Sequence, residues 1–347
     1  MSKQNNFQHI TVPLRNNQPF ISIVIPTYNE EADIRPTLDA AVNLDYPYKE
    51  IIVVDDSTDE TTNIIKEYQK HGVRLICRKE RSNGCCGARN LGMEEAKGEI
   101  VVLLNADVRP QRDFLNRILL HYESGADYVL VWQKSANDEY LFPRYIEAEG
   151  NFNYSGKDWI EWTEGFSCRR QAALDVGLIP GNFPIPFCRD WLLGKILGEK
   201  GFRKVIDTSI IVYHVSPYKF GDFWRVRKNR GRFAFLFNYF IGTTSMKELI
   251  KNEPLDKVLK RYSLKALIFR VMLKTLYNGI KIFLIFPALY RVFKVSKFSP
   301  NKQRDIVPFL WASIIEKVAF SAGEWSAYFE VCRYKTQSFN ADIKTRL

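Results

Sequence analysis

Five aliphatic residues in a row, Ile100-Val101-Val102-Leu103-Leu104, lie between Gly98 and Pro110 and run straight into Asn105-Ala106-Asp107. So short a run, with no polar alternation, reads as a strand covered on both faces, the pattern of a parallel sheet flanked by helices. Open α/β sheets bind ligands at the carboxyl ends of such strands. Asp107 therefore stands where a hard oxygen donor can meet Mg2+ or Mn2+ on a diphosphate. A second acidic strand end, Val53-Val54-Asp55-Asp56, comes about fifty residues earlier. Either aspartate alone reads equally well as a helix cap or turn residue. Two acidic strand ends on one rim favour a nucleotide–metal site.

The neighbouring segments keep the same rhythm. Strands are expected at 21–25, ended by Pro26, and at 50–54, 73–77 and 100–104. Helices are expected at 31–43, 60–70 and 88–96, the last entered through the loop Asn83-Gly84-Cys85-Cys86-Gly87. This alternation implies a mostly parallel, doubly wound sheet. Residues 127–215 read as mixed α and β, with strands at 128–132, 205–206 and 210–213 and a helix at 189–200.

Charge divides the chain. Residues 216–347 carry 25 Lys and Arg against 9 Asp and Glu, a net +16, whereas residues 1–215 carry 25 against 30. An α/β body is thus joined to a basic tail suited to an anionic surface or ligand. Residues 263–293 are apolar but broken by Lys265, Arg270, Lys274 and Lys281. The clean stretch 282–290 and the stretch 306–315 are both shorter than the roughly twenty residues a spanning helix needs. Helices lying in a headgroup layer, with Lys and Arg reaching phosphates, fit this pattern; a helical subdomain packed on the body is the alternative. The six cysteines form no CxxC pair and no zinc-type cluster with His. The polar stretch 1–18 has no apolar h-region, so no secretory signal and a reducing setting are expected.

Four segments carry a resemblance: Pro26-Thr27-Tyr28-Asn29-Glu30-Glu31, Val54-Asp55-Asp56-Ser57-Thr58-Asp59, Gly87-Ala88-Arg89-Asn90-Leu91-Gly92 and Asn105-Ala106-Asp107-Val108. In order and spacing they resemble family 2 inverting glycosyltransferases of the GT-A fold, over roughly residues 20–235. Together with the charge division, this sets the expected organisation: a polar tail at 1–19, a GT-A domain at 20–240 and a basic, mainly helical, membrane-associating region at 241–347. The resemblance implies that Pro26, Tyr28 and Glu30 line the base and ribose pocket, and that Asp55 or Asp56 accepts a hydrogen bond from the base. Asn90 is expected to close its loop onto the helix. Asn105-Ala106-Asp107 stands at the family's Asp-x-Asp, with the first carboxylate replaced by an amide and the metal-contacting Asp107 kept.

Further along, Glu164, Gly165 and Trp191 fall in segments that resemble the acceptor floor. Asp190, after an Arg189 where the family has Glu, matches the general base. His214 follows a strand in the position from which related enzymes complete the metal shell; a structural histidine is the alternative. The run Arg225 to Arg232 places five cations in eight positions. Of these, Arg227 and Arg230 are the expected partners of the diphosphate.

The implied function is metal-dependent transfer of one sugar from a nucleotide-diphosphate sugar to an acceptor hydroxyl. Processivity is not expected, since Gln-x-x-Arg-Trp is missing from the sequence. A lipid-linked or glycan acceptor, an anionic membrane surface and a location on the cytoplasmic face of a membrane are the expected context. The alternatives are a polyprenyl-phosphate glycosyltransferase and a catalytically degenerate nucleotide-binding member of the fold. Nucleic acid is not expected, because the tail has no zinc finger or RNP-type segment. A dehydrogenase and a P-loop enzyme are disfavoured by the missing glycine motifs, and a nucleotidyltransferase by the acidic character of residues 26–31.

Overall fold

The computed structural model describes residues 18–154, 164–180, 191–240 and 285–344, with a few helical residues between 268 and 277. Asp190, Arg189 and Trp162, and about half of the apolar stretch 263–293, lie outside the described residues.

One eight-stranded sheet organises the body, in the order β3-β2-β1-β4-β7-β6-β8-β5. Strands β1 (Ile21–Thr27), β2 (Lys49–Asp55), β3 (Val73–Cys77) and β4 (Ile100–Leu103) form its parallel half. The other half is mixed. β7 (Phe166–Arg169) runs antiparallel to β4 and to β6 (Tyr128–Ser135), β6 is parallel to β8 (Lys204–His214), and β5 (Val108–Pro110) is antiparallel to β8. The sheet is therefore less parallel than the strand–helix rhythm predicts. β5 and β7, three and four residues long, carry too little pattern to be read from sequence. The two short strands expected at 205–213 are one strand, interrupted by a register shift opposite Val131/Trp132.

Both faces are covered, as the unbroken aliphatic runs require. Ile21, Ile23 and Ile25 of β1 and Ile100 and Val102 of β4 face one core with α1 (Ile34–Val42), α2 (Thr61–Glu67) and α4 (Phe114–Glu123). Val24, Val101 and Leu103 face the other, with α3 (Gly84–Glu95), α6 (Arg170–Asp175) and α7 (Leu192–Glu199). Alternate residues of one strand thus serve opposite cores. β1 continues through Pro26 rather than stopping there. Pro26 faces the β4 side, where pairing has ended at Val24↔Leu103, so its missing N–H costs no ladder bond.

Helix α3 begins four residues earlier than its apolar spacing suggests. The glycine loop is its first turn: Asn83 and Gly84 take φ of 59° and 53°, and a Cβ on Gly87 would come 2.2 Å from the Ser82 carbonyl oxygen.

A third core joins the C-terminal helices to the body. Phe142 and Tyr145 of α5 (Leu141–Tyr154), Phe223 of α8 (Phe220–Phe240), Val292 of α9 (Ile285–Ser296) and Phe309 of α10 (Ile306–Lys344) bury one another. Residues 306–315 are not a short interfacial piece but the start of a 39-residue helix. α8 and α10 cross with their backbones almost touching. A Cβ on Gly231 would meet the Phe320 carbonyl oxygen, and one on Gly323 the Lys228 carbonyl oxygen, each under 2 Å away. Arg232 clamps Glu330 above the crossing.

Candidate active site

The carboxyl ends of β1, β2 and β4 share a rim, and β8 delivers its last residue to the same place. Val108 pairs with His214 in the β5–β8 ladder, which brings Asp107 beside the histidine. The Val215 N–H donates to the Asp107 carbonyl at 3.0 Å, and His214 Nε2 lies 3.1 Å from Asp107 Oδ2. Burial works against a charge on His214, but Asp107 and then Glu164 outweigh it and hold the imidazole up at about 9. Burial likewise disfavours the Asp107 carboxylate, and the His214 pair more than compensates, leaving it below its ordinary value.

Glu30 belongs to the same field. Its burial, followed by the charges of Asp107, Asp33 and Asp59, pushes it up to about 7. Asn29, at φ 57°, ties this loop to the next strand end: its N–H donates to Ser57 Oγ and its Oδ1 accepts from the Thr58 N–H. The Glu30 N–H donates to Thr61 Oγ1. The tight turns after β1 and β2 are thus one unit.

The two aspartates of the second strand end divide their work. Asp55 is 2% exposed and accepts from Thr27 Oγ1 at 2.7 Å, from the Ser57 N–H at 3.0 Å and from Thr62 Oγ1. These bonds fix its carboxylate to the frame, two of them on Oδ1 and one on Oδ2. Asp56 is paired with Arg78, and Arg81 stands 3.9 Å away. The Arg81 guanidinium lies 3.2 Å above the ring of Tyr28, which is 39% exposed. Arg78 and Arg81 are site residues that the motifs did not indicate; their only signal is two cations closely following a strand.

Asn105 sits between two charges. Its Oδ1 accepts from Arg89 Nη2 at 2.5 Å, and its Nδ2 donates to Glu164 Oε1 at 3.3 Å. Ala106 is buried beneath. Glu164, expected on the acceptor side, is thereby drawn to the β4 strand end. Asn90 clamps the segment after α6, donating to the Ile179 carbonyl at 2.8 Å and accepting from its N–H at 3.1 Å. Trp191 stands at the start of α7, edge-on to Phe237 of α8 at 4.8 Å.

The two arginines expected at the diphosphate behave differently. Arg227 is 3% exposed and turned away from solvent into an ion pair with Glu316 of α10 at 2.8 Å. Glu316 also accepts from Tyr145 Oη at 2.6 Å, and nearby Arg291 holds Glu149. The helical period that places Arg227 on the packed face of α8 removes it from the solvated one. Arg230, one turn on, is exposed. It lies in the field of Glu164, and the neighbouring Arg227 pulls its guanidinium below the usual value.

Asp107 and His214 supply one carboxylate and one imidazole. Among the described residues no group of three or more His, Cys, Asp and Glu side chains converges tightly enough to hold an ion by itself. This donor set fits a divalent cation that takes its remaining oxygens from a bound diphosphate.

The mixed sheet, its helices on both faces and the acidic rim define a GT-A type glycosyltransferase domain. Residues 22–179 match the model of Glycosyl transferase family 2. Among solved structures the chain is similar to the mannosyltransferase PcManGT from Pyrobaculum calidifontis in complex with GDP-Man and Mn2+. The identity is 20% and the TM-score 0.56, covering 89% of this chain and 88% of that one, a likeness of fold. Among curated proteins it is 36% identical over 111 residues to the dolichyl N-acetyl-alpha-D-glucosaminyl phosphate 3-beta-D-2,3-diacetamido-2,3-dideoxy-beta-D-glucuronosyltransferase of Methanococcus voltae, covering 30% of this chain and 34% of that protein. It is 31% identical over 138 residues to the undecaprenyl-phosphate 4-deoxy-4-formamido-L-arabinose transferase of Shewanella sediminis, covering 37% and 41%. The chain spans less than half the length of these curated relatives.

Proposed function

We propose that the protein transfers a single sugar from a nucleotide-diphosphate sugar, with inversion, to an acceptor hydroxyl at a membrane surface. The observation that supports this most directly is the Asp107–His214 pair on the rim beside Glu30. Asp107 and His214 would hold Mg2+ or Mn2+, which when bound neutralises charge on the leaving diphosphate. Pro26, Tyr28 and Glu30 line the nucleoside side, with Asp56 as the base acceptor and Arg81 over the ring of Tyr28. Arg230 is the exposed guanidinium available to the phosphates. Gly165 and Trp191 border the acceptor side. By resemblance Asp190 takes the proton of the attacking hydroxyl.

The lipid-linked acceptor draws support from the names of the two curated relatives and from α10. The stretch Lys302–Tyr334, which runs from the short 3-10 turn at Lys302–Asp305 into α10, is long and apolar enough by length and composition to cross a membrane. Val307, Trp311, Val318 and Phe329, all well exposed, fall within about 40° of one another on a helical wheel. A stripe of this kind, with Lys294, Lys297, Lys302 and Arg304 close by in sequence, suits an interface with anionic lipid.

A thermal-shift panel of nucleoside diphosphates with and without Mn2+ tests the reading, because ligand bound to the folded state raises the melting point. At least one diphosphate should stabilise the wild type only with Mn2+, and Asp107→Ala should abolish that increment. Equal shifts in wild type and Asp107→Ala would reject the metal role.

A further inference from the structure

Glu164 is aimed at the donor rim by a backbone that has little freedom. Gly165 takes φ 77°, and a Cβ there would come 2.7 Å from Val131 Cγ2 and 3.0 Å from Val212 Cγ1. Its N–H donates to the Leu103 carbonyl at 3.1 Å. The turn is therefore pressed against the ends of β4, β6 and β8, and glycine is the residue that permits it. Glu164 Oε1 accepts from Asn105 Nδ2. Its other oxygen, Oε2, is buried and has no hydrogen-bond partner among the described residues.

Two features make this arrangement informative. First, the Asn105 amide is oriented from both ends, its oxygen toward Arg89 and its nitrogen toward Glu164. An aspartate at 105 would set two carboxylates 3.3 Å apart, which cannot both stay ionised cheaply. The amide at 105 and the acid at 164 are complementary, as if the charge of an Asp-x-Asp had moved from one to the other. Second, a buried carboxylate oxygen left unpaired is costly, and a ligand hydroxyl that reaches it removes the penalty. Sheet order says which part of the ligand that is. Tyr28 and Asp56 sit at the ends of β1 and β2, Asp107 and His214 follow β4 and end β8, and Glu164 directly precedes β7 on the far side of β4. A nucleotide sugar with its base over β1–β2 and its diphosphate at Asp107 after β4 would present its sugar, not its ribose, at β7, between β4 and the β8 that ends at His214.

We infer that Glu164 Oε2 accepts a hydrogen bond from a hydroxyl of the transferred sugar, supplying the donor-site carboxylate that Asn105 lacks. The inference rests on the donor reading of the rim, and its test separates the two. Calorimetric titrations with saturating Mn2+ would compare UDP and GDP with a panel of UDP- and GDP-sugars. The proteins would be wild type, Glu164→Ala and the double variant Asn105→Asp/Glu164→Ala. In Glu164→Ala, affinity for the nucleotide sugar that wild type binds should fall roughly tenfold, the worth of one hydrogen bond to a charged group, while affinity for the bare diphosphate changes less than about twofold. Asn105→Asp in the same background should recover most of the loss.

An equal fall for diphosphate and nucleotide sugar would overturn the inference, placing Glu164 at the metal or phosphates instead. Unchanged affinity for every nucleotide sugar would overturn it too. Should Glu164→Ala not fold, Glu164→Gln, which keeps the shape and removes the charge, is read by the same ratio. If wild type binds no nucleoside diphosphate with Mn2+, the donor reading itself fails and the inference falls with it.

Discussion

His214 Nε2 stands 3.1 Å from Asp107 Oδ2 because one strand arrives at the rim where another leaves it: β8 ends at the histidine and β5 begins one residue after the aspartate. The pair is ionic when the site holds no cation, since the imidazole keeps its proton up to about pH 9. A proton and a metal ion want the same nitrogen.

Apparent Mn2+ affinity, measured with a nucleoside diphosphate present, should therefore rise between pH 7 and 9 by up to about tenfold per unit. The His214→Gln variant should bind more weakly and lose the slope. Stability of the metal-free protein should move the other way. A histidine whose folded pKa is raised contributes fully below its ordinary value near 6.5, and the contribution fades as pH climbs through about 9. Melting temperatures of wild type and His214→Gln should converge at alkaline pH. A pH-independent Mn2+ affinity in wild type would remove His214 from the metal shell.

The glycine crossing makes a second prediction. Gly231→Ala and Gly323→Ala each force a methyl into the opposing backbone, and each should cost about 1–3 kcal/mol in urea unfolding. Gly221, in the first turn of the same α8, has open space around it. Gly221→Ala should be neutral or slightly stabilising. Indistinguishable midpoints for all three would mean that the two helices do not meet as described.

Membrane contact through α10 is checked by co-sedimentation with anionic liposomes. Binding should weaken with salt, as charge attraction does. It should also drop severalfold in Trp311→Asp/Val318→Asp, whose side chains lie on the exposed stripe. Loss of salt dependence with retained binding would assign the interaction to apolar contact alone.

Asp190→Asn distinguishes acceptors. With a hydroxyl acceptor, removing the base should slow transfer by a factor on the order of 10²–10⁴ at unchanged nucleotide affinity. With a polyprenyl phosphate, whose nucleophile is already an anion, turnover should change little.

Much of this architecture was legible in the residues. The aliphatic runs at 21–25, 51–54 and 100–104 announced the parallel half; strand-end chemistry pointed to Asp107 and the family resemblance to His214, and the structure brings the two side chains together. What escaped notice was side-chain fate decided by packing. Asp55 and Asp56 are adjacent and chemically alike, yet one is held by Thr27, Ser57 and Thr62 and the other is paired with Arg78. Arg227 looked like Arg230 until Glu316 approached from 89 positions away. The 306–344 helix seemed too short because Glu316 and Lys317 interrupt its apolar pattern. Glu316 is satisfied internally by Arg227 and Tyr145, so the helix carries on through it. Strands β5 and β7 had no signal, since three or four residues cannot show a period.

The contact of Gly231 with Phe320 and of Gly323 with Lys228 leaves no cushion of side chains between α8 and α10. Helices touching at the main chain, with Arg232 clamped on Glu330 beside the contact, have little room to shift independently and act as a single lever. Arg227 and Arg230 ride on one arm of that lever and the exposed apolar stripe of α10 on the other. Any displacement of α10 is thereby passed to the arginines of α8.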